Sequence, residues 1–385
     1  MNSMLPELTS MISRLVQEPS VSCVNPLFDM SNRPVCEILA DWLATVGCAV
    51  ELVELPGDRD NVNLIARFGT GPVGLALCGH TDTVPYDEAL WTQNPLGGDV
   101  IDDRLYGLGS ADMKGFLALC AHICATLNAD TLKRSVILIG SADEESSMDG
   151  ARHLCSSNFQ MPPFCIVGEP TGMQPIRQHK GTLMERITLT GRSGHSSDPK
   201  LGINAIDGMH EVIGHLKQFR LELQTQYRDE SFTVPTPTLN FGHIRGGDNP
   251  NRICGSCALD FDLRLMPGMT VADTRARLHE FVRQKMTDTP LTLEFSTLFK
   301  GANPLSTSRH SPLLHACENH SGRSSGSVSF CTEGPFYQAL GADTMILGPG
   351  DIAVAHQPDE FLPLSNLAPM QTLIGKLIHE FCIAV

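Results

Sequence analysis

The 385 residues carry 28 Lys and Arg against 43 Asp and Glu, and this net charge of -15, without any concentrated basic patch, excludes a general nucleic-acid binder. An apolar share of 42% with 18% charged residues excludes a disordered chain, and no stretch is long and apolar enough to span a membrane. The length exceeds one usual core, so two domains are expected.

The opening segment, Met1 to Leu8, has neither the basic start nor the apolar run of a secretory signal, so a cytoplasmic protein is expected. Thirteen cysteines are scattered along the chain, several inside apolar runs (Cys78, Cys120, Cys165, Cys254). They are read as lacking a close-spaced C-x-x-C pair and are expected to be reduced, without disulfides and without a cysteine metal site. Val35, Ile38, Leu39 and Trp42 recur at helical spacing, and residues 50–55 and 63–68 read as strands.

Residues 73–77 form a short buried strand that ends in Cys78-Gly79-His80-Thr81-Asp82. Residues i and i+2 of an extended chain point the same way. Asp82 is therefore expected to stand behind His80 and accept its ring N–H, leaving the other ring nitrogen for a metal. A plain polar turn is the other reading of this pair. Next, residues 105–115 lead into an amphipathic helix with Phe116, Leu119, Cys120, Ile123 and Leu127 on one face. Asp112 at its start is either a helix cap or a ligand.

Residues 135–139 and 165–167 are uninterrupted apolar runs, as expected of strands covered on both faces. They deliver Asp143-Glu144-Glu145 and Gly168-Glu169 at their ends, and residues 344–347 lead towards His356. Ligand sites of open α/β sheets lie outside the carboxyl ends of the strands, where all these polar residues fall.

Between 179 and 299 the pattern changes. An alternating stretch at 182–190 precedes a helix over 203–223, with Ile206, Ile213 and Leu216 facing inward. An extended segment at 238–243 is followed by alternating Leu259, Phe261, Leu263 and Leu265, a helix over 271–286, and alternating Leu291, Leu293 and Phe295. The order β-α-β-β-α-β is that of a ferredoxin-like α+β unit. It is expected as an insertion into a discontinuous α/β domain made of 1–178 and 300–385, with a mixed, mostly parallel sheet and flanking helices.

His80, His356, Asp112, Glu145, Glu169 and the neighbouring Glu144 make a nitrogen and oxygen donor set suited to zinc or a similar divalent ion. Taken singly, most read as solvated carboxylates or loop residues. Their shared placement after apolar strands favours a two-metal site: Asp112 bridging, His80 and Glu169 completing one side, Glu145 and His356 the other. Glu144 is then free to face water as general base.

The segments Gly79 to Pro85, Gly107 to Gly115, Ala142 to Glu145 and Gly168 to Thr171 resemble the signatures of the aminoacylase/acetylornithine deacetylase family of co-catalytic zinc hydrolases. Ser193 to Pro199, Gly246 to Cys254, Cys331 to Phe336, Leu347 to Gly350 and Ala355 to Glu360 extend the resemblance towards its acetylornithine-cleaving branch. The resemblance implies a zinc-peptidase-like fold, two divalent ions (zinc, with cobalt as an alternative) on the ligands above, and Glu144 as acid/base with Asp82 orienting His80. It also implies a homodimer formed through the inserted domain, with His195 reaching the partner's active site. Gly334 stands where the family pattern leads us to expect another small residue such as Ala.

The implied reaction is hydrolysis of an N-acetylated amino acid, with His195 donating to the oxyanion. Acetylornithine carries an α-carboxylate and a side-chain ammonium. Arg252 or Arg264, helped by Asn251, is expected to hold the carboxylate, because guanidinium binds carboxylate bidentately. Glu333, in a loop facing the same end of the sheet, is expected to hold the ammonium. Succinyl-diaminopimelate desuccinylase or dipeptidase activity, a non-catalytic metal or peptide-binding module, and a purely structural dimer are the competing readings.

Overall fold

The computed structural model describes residues 5–57, 59–157 and 159–384. It divides into two units: one comprises 1–177, 307–326 and 332–385, the other 178–306 and 327–331.

In the first unit six strands lie side by side in the order Ala49–Glu54, Val62–Phe68, Ser135–Ser141, Val73–His80, Phe164–Val167 and Asp343–Ile346. The last four are mutually parallel and the first two pair antiparallel, so the sheet is mixed and mostly parallel. The parallel strands are the uninterrupted apolar runs of the sequence, and Ser135–Ser141 is buried along its whole length. Alternate residues serve opposite faces. Leu75, Leu77, Val136 and Leu138 join a core with Phe116 and Leu117 of the helix Gly115–Cys124, while Ala76, Cys78, Ile137 and Ile139 are equally buried. Burial on both faces removes the usual alternation, which is why these strands read as continuous apolar blocks.

In the second unit four strands, Gly181–Thr190, Thr238–Gly246, Ser256–Leu265 and Thr292–Ala302, form an antiparallel sheet. Gly181–Thr190 and Ser256–Leu265 are central, and Thr238–Gly246 and Thr292–Ala302 are the edges. With the helices Ala205–Gln226 and Val271–Lys285 this is the β-α-β-β-α-β order of a ferredoxin-like unit. Leu183, Ile187, Leu189, Leu259, Phe261, Leu263 and Leu265 pack with Met209, Val212, Leu216 and Phe219 in a core of its own.

Three details depart from the sequence reading. The unit runs past 299 to 306, because Leu305–Ser306 pairs back onto Gln178 and His179. Ile206 is 46% exposed: the inward stripe is Ala205, Met209, Val212, Leu216, Phe219 and Leu223, and Ile206 lies about 100° or more round the helix from its centre. Cys254 and Cys257 stand in C-x-x-C spacing, which the scattered pattern obscured; both are buried, and all thirteen cysteines are free. No helix among the described residues is long and apolar enough to cross a membrane.

Candidate metal centre

Register brings the strand ends together. His80 pairs with Ser141 and Cys78 with Val167, so the segments following Ser141 and Val167 leave the sheet on the edge where His80 sits. The amide of Gly168 donates to the Cys78 carbonyl at 2.9 Å, carrying this alignment one residue further. A side chain at Gly168 would collide with the Phe116 ring, so only glycine lets the strand end lie against the helix below.

Asp112 arrives from the loop before that helix and is not its cap. Its two oxygens face two imidazoles: His80 Nε2 is 3.1 Å from Oδ1, and His356 Nε2 is 3.4 Å from Oδ2. His356 Nε2 also lies 2.9 Å from Glu145 Oε1. Donor atoms of His80, Asp112 and Glu169 lie within 4.8 Å of one another; so do those of Asp112, Glu145 and His356, and those of His80, Glu144 and Glu145. Asp112 thus belongs to two groups, as a bridging carboxylate would.

The electrostatics of these groups call for a cation. Burial pushes Glu144 and Glu169 well above the usual carboxylate range; the charge of Glu169 raises Glu144 further, and that of Asp112 raises Glu169. Hydrogen bonds to Asp112 and Glu145 lift His356 to about 10. Burial alone would lower His80, yet its hydrogen bond and charge interaction with Asp112 hold it well above the usual imidazole value. Oε1 of Glu169 is buried with no hydrogen-bond partner, which is costly for a polar atom. Crowded carboxylates, an orphaned oxygen and two imidazoles sharing one aspartate fit a pair of divalent ions with nitrogen and oxygen donors.

Asp82 departs from expectation. His80 Nδ1 lies 3.0 Å from the Asp82 main-chain carbonyl, which receives the ring N–H, whereas the nearest carboxylate oxygen is 3.8 Å away. The strand ends at His80, so the alternation of an extended chain stops before Asp82. Its Oδ2 instead accepts the Glu145 amide at 3.0 Å, tying the His80 turn to the Glu145 turn. Burial raises the Asp82 carboxyl to about 7.

Two acidic residues without a role in the sequence reading build the site's framework. Asp143 sits at φ 61 and accepts from Asn61 Nδ2 at 2.9 and 3.0 Å and from Ser22 Oγ at 2.8 Å. Its carbonyl accepts the amides of Ser147 and Met148, closing the turn that presents Glu144 and Glu145. Buried Glu360 accepts the amides of Ala111 at 2.8 Å and Asp112 at 3.1 Å. Burial, then the charge of Asp112, raises its carboxyl to about 8 against these bonds. Asp143 stood within a recognisable acidic triplet; for Glu360, whose partners are 248 and 249 positions away, no local signal existed.

Glu333 is an interior carboxylate, 1% exposed, where the sequence suggested an open loop. It immediately precedes the helix Gly334–Ala339, and its Oε2 accepts from Ser141 Oγ at 2.6 Å and Tyr337 Oη at 3.1 Å. Its Oε1 is buried without a hydrogen-bond partner, and its charge helps raise Glu144 and Glu169.

Within the second unit, His195 and Arg252 form a β-bridge, and the Ser196 amide donates to the Asn251 carbonyl at 3.1 Å. The Ser197 amide lies 3.2 Å from His195 Nδ1. An N–H can only donate, so Nδ1 is the acceptor and exposed Nε2 carries the hydrogen of the neutral ring. Arg252 is exposed and paired with Asp248 at 2.7 Å. Arg264 is half-buried, 3.0 Å from Asp262, and eight residues beyond Ser256 on its strand. At ~3.3 Å per residue that is roughly 26 Å, so the two arginines occupy opposite ends of the sheet.

Known proteins resemble this chain over its full length. The model of peptidase family M20/M25/M40 matches residues 76–380. The chain is 44% identical to the acetylornithine deacetylase of Edwardsiella ictaluri, over 99% of this chain and 100% of that protein. It is 43% identical to that of Proteus mirabilis, over 100% and 99% respectively. Among solved structures, a tripeptidase from Staphylococcus aureus superposes with a TM-score of 0.76 at 18% identity, covering 97% of each chain. An M20 family metallo-carboxypeptidase from Sulfolobus solfataricus gives 0.76 at 16% identity, covering 97% of this chain and 99% of that one. At such identities these two speak for the fold alone.

Proposed function

The chain belongs to peptidase family M20/M25/M40, and from that premise we propose that it removes the acetyl group from Nα-acetyl-L-ornithine, yielding L-ornithine and acetate for arginine biosynthesis in the cytoplasm. The observation that carries this reading is the full-length 44% identity to an acetylornithine deacetylase.

His80, Asp112 and Glu169 would hold one divalent ion, and Asp112, Glu145 and His356 a second, zinc or cobalt in each case. Bound there, such ions supply Lewis acidity towards the acyl oxygen and make water more acidic. Glu144 takes the proton of the attacking water on its carboxylate and returns it to the leaving α-nitrogen, so the amine departs neutral. Asp82 keeps His80 oriented through its carbonyl and Glu145 through its carboxylate. His195 donates its Nε2–H to the oxyanion that forms at the acetyl carbon. We assign that histidine to a second copy of the chain, in a homodimer built through the inserted domain. Support comes from the edge strand Thr238–Gly246, which is largely exposed and carries Ile244 at 53% exposure.

For the substrate carboxylate, Arg252 with Asn251, or Arg264, offers the guanidinium. Their separation along the strand lets one carboxylate engage only one of them within a chain. Replacing each by Lys keeps the charge and removes the bidentate fork. The variant at the true contact is expected to raise KM for acetylornithine by about tenfold or more, and the other by less than about threefold. Equal, small effects in both would remove the arginines from carboxylate binding.

The proposed activity is tested with purified, metal-loaded enzyme on acetylornithine, succinyl-diaminopimelate and a set of dipeptides. Acetylornithine is expected to lead in kcat/KM by about 10²-fold, since a site built around the wrong polar groups pays for leaving them unpaired. A dipeptide or the succinyl substrate at the top of that ranking overturns the assignment.

A further inference from the structure

Beside His356 lies a cavity of about 200 Å³, lined by Val84, Tyr86, Leu90, Trp91, Leu108 and Pro358 among others. Tyr86 and Trp91 meet edge to face, with ring centroids 6.5 Å apart. The wall is fixed by hydrogen bonds as well as by packing. Asp359 accepts the amides of Thr92 and Gln93 at 2.8 Å each and the Thr92 hydroxyl at 2.7 Å. The segment following Trp91 is thereby bound to the turn that carries His356. His356 and Asp359 both adopt left-handed backbone, φ 58 and 59, so this turn has a defined shape. Asp87 holds the other rim by accepting the Ala89 amide at 3.1 Å.

We propose that this cavity is an acyl subsite: it receives the hydrocarbon part of the N-acyl group and admits chains longer than acetyl. The inference rests on the deacylase reading above and adds a specificity determinant to it. Chemistry selects the acyl end of the substrate. The substrate carboxylate meets Asp87 on the rim and neither lysine nor arginine in the lining, whereas Val84, Leu90, Leu108 and Pro358 offer the hydrocarbon contact an acyl tail needs. The acyl tail is the apolar part of such a substrate. One methyl group fills only a small fraction of about 200 Å³, so added methylenes find room and apolar contact.

The test is a kcat/KM series on Nα-acetyl-, propionyl-, butyryl- and hexanoyl-ornithine with the metal-loaded enzyme, repeated with Trp91→Ala and with Leu90→Asp. Leu90 is 64% exposed, so the second variant does not depend on core packing. In the native enzyme the butyryl substrate is expected to reach at least about one tenth of the acetyl value. In each variant the butyryl-to-acetyl ratio should fall about tenfold, a size typical of losing one or two methylene contacts. Butyrate should also inhibit acetylornithine cleavage at lower concentration than acetate, with that difference reduced in both variants. An enzyme that cleaves the acetyl substrate but discriminates more than about 10²-fold against butyryl overturns the subsite and leaves the deacylase reading intact. Unchanged ratios in both variants also overturn it. Failure to cleave any member of the series overturns the deacylase reading itself.

Discussion

Glu144→Gln is expected to lower kcat for acetylornithine by about 10²–10⁴-fold while KM stays within a few-fold of native. At ~1.4 kcal/mol per tenfold, that is about 3–5 kcal/mol of transition-state stabilisation. The variant removes the ability to accept and return a proton and keeps the length and shape of the side chain. Glu144 lies in the turn closed by Asp143, which is anchored to Asn61 and Ser22, so the turn does not depend on Glu144 for its form. Metal content is the necessary control, because Glu144 is within 4.8 Å of His80 and Glu145 and a nearby charge influences ion binding. The expected result is native metal stoichiometry, a native circular dichroism spectrum and collapsed turnover. Activity within tenfold of native at full metal content would sink the acid/base role, whatever else the centre does.

The sequence made the strands of the first unit legible because they are buried on both faces, and such strands cannot hide among alternating ones. Strand ends then located His80, Glu145 and Glu169, since parallel neighbours deliver their next residues to one edge. What was not legible depended on how the chain turns after leaving the sheet. Asp82 was expected to use its carboxylate on His80 by the two-residue repeat, but the strand stops at His80 and a main-chain carbonyl takes that place. Glu360 holds Asp112 through amides some 250 positions away, and no periodicity reports such a contact. Glu333 could not be distinguished from a surface acid, because its carboxylate meets Ser141 from a strand 192 positions away. Ile206 failed for a simpler reason: an isoleucine near the start of a helix fits several stripes, and Met209, Val212 and Leu216 decided which one faces the sheet.

Mixing two inactive variants tests the assignment of His195 to a second copy of the chain. Glu144→Gln alone and His195→Ala alone are each expected to retain little activity, the latter through loss of an oxyanion donor worth about 10²-fold or more. After denaturation and joint refolding, or slow subunit exchange, half the dimers are mixed if association is unbiased. If His195 acts across the interface, one of the two sites in a mixed dimer combines an intact Glu144 with an intact His195. The mixture should then recover roughly a quarter of native activity, a gain that closed two-fold symmetry permits and that no single chain supplies. If His195 serves its own chain, every site in the mixture keeps one defect and activity stays at the level of the parents. The donor geometry gives the experiment a chemical handle. Ser197 engages Nδ1, so the hydrogen of the neutral ring is on Nε2, and His195→Gln alone, which presents an amide N–H, should retain more activity than His195→Ala alone. Recovery by mixing together with rescue by Gln would establish both where the histidine acts and that it acts as a hydrogen-bond donor.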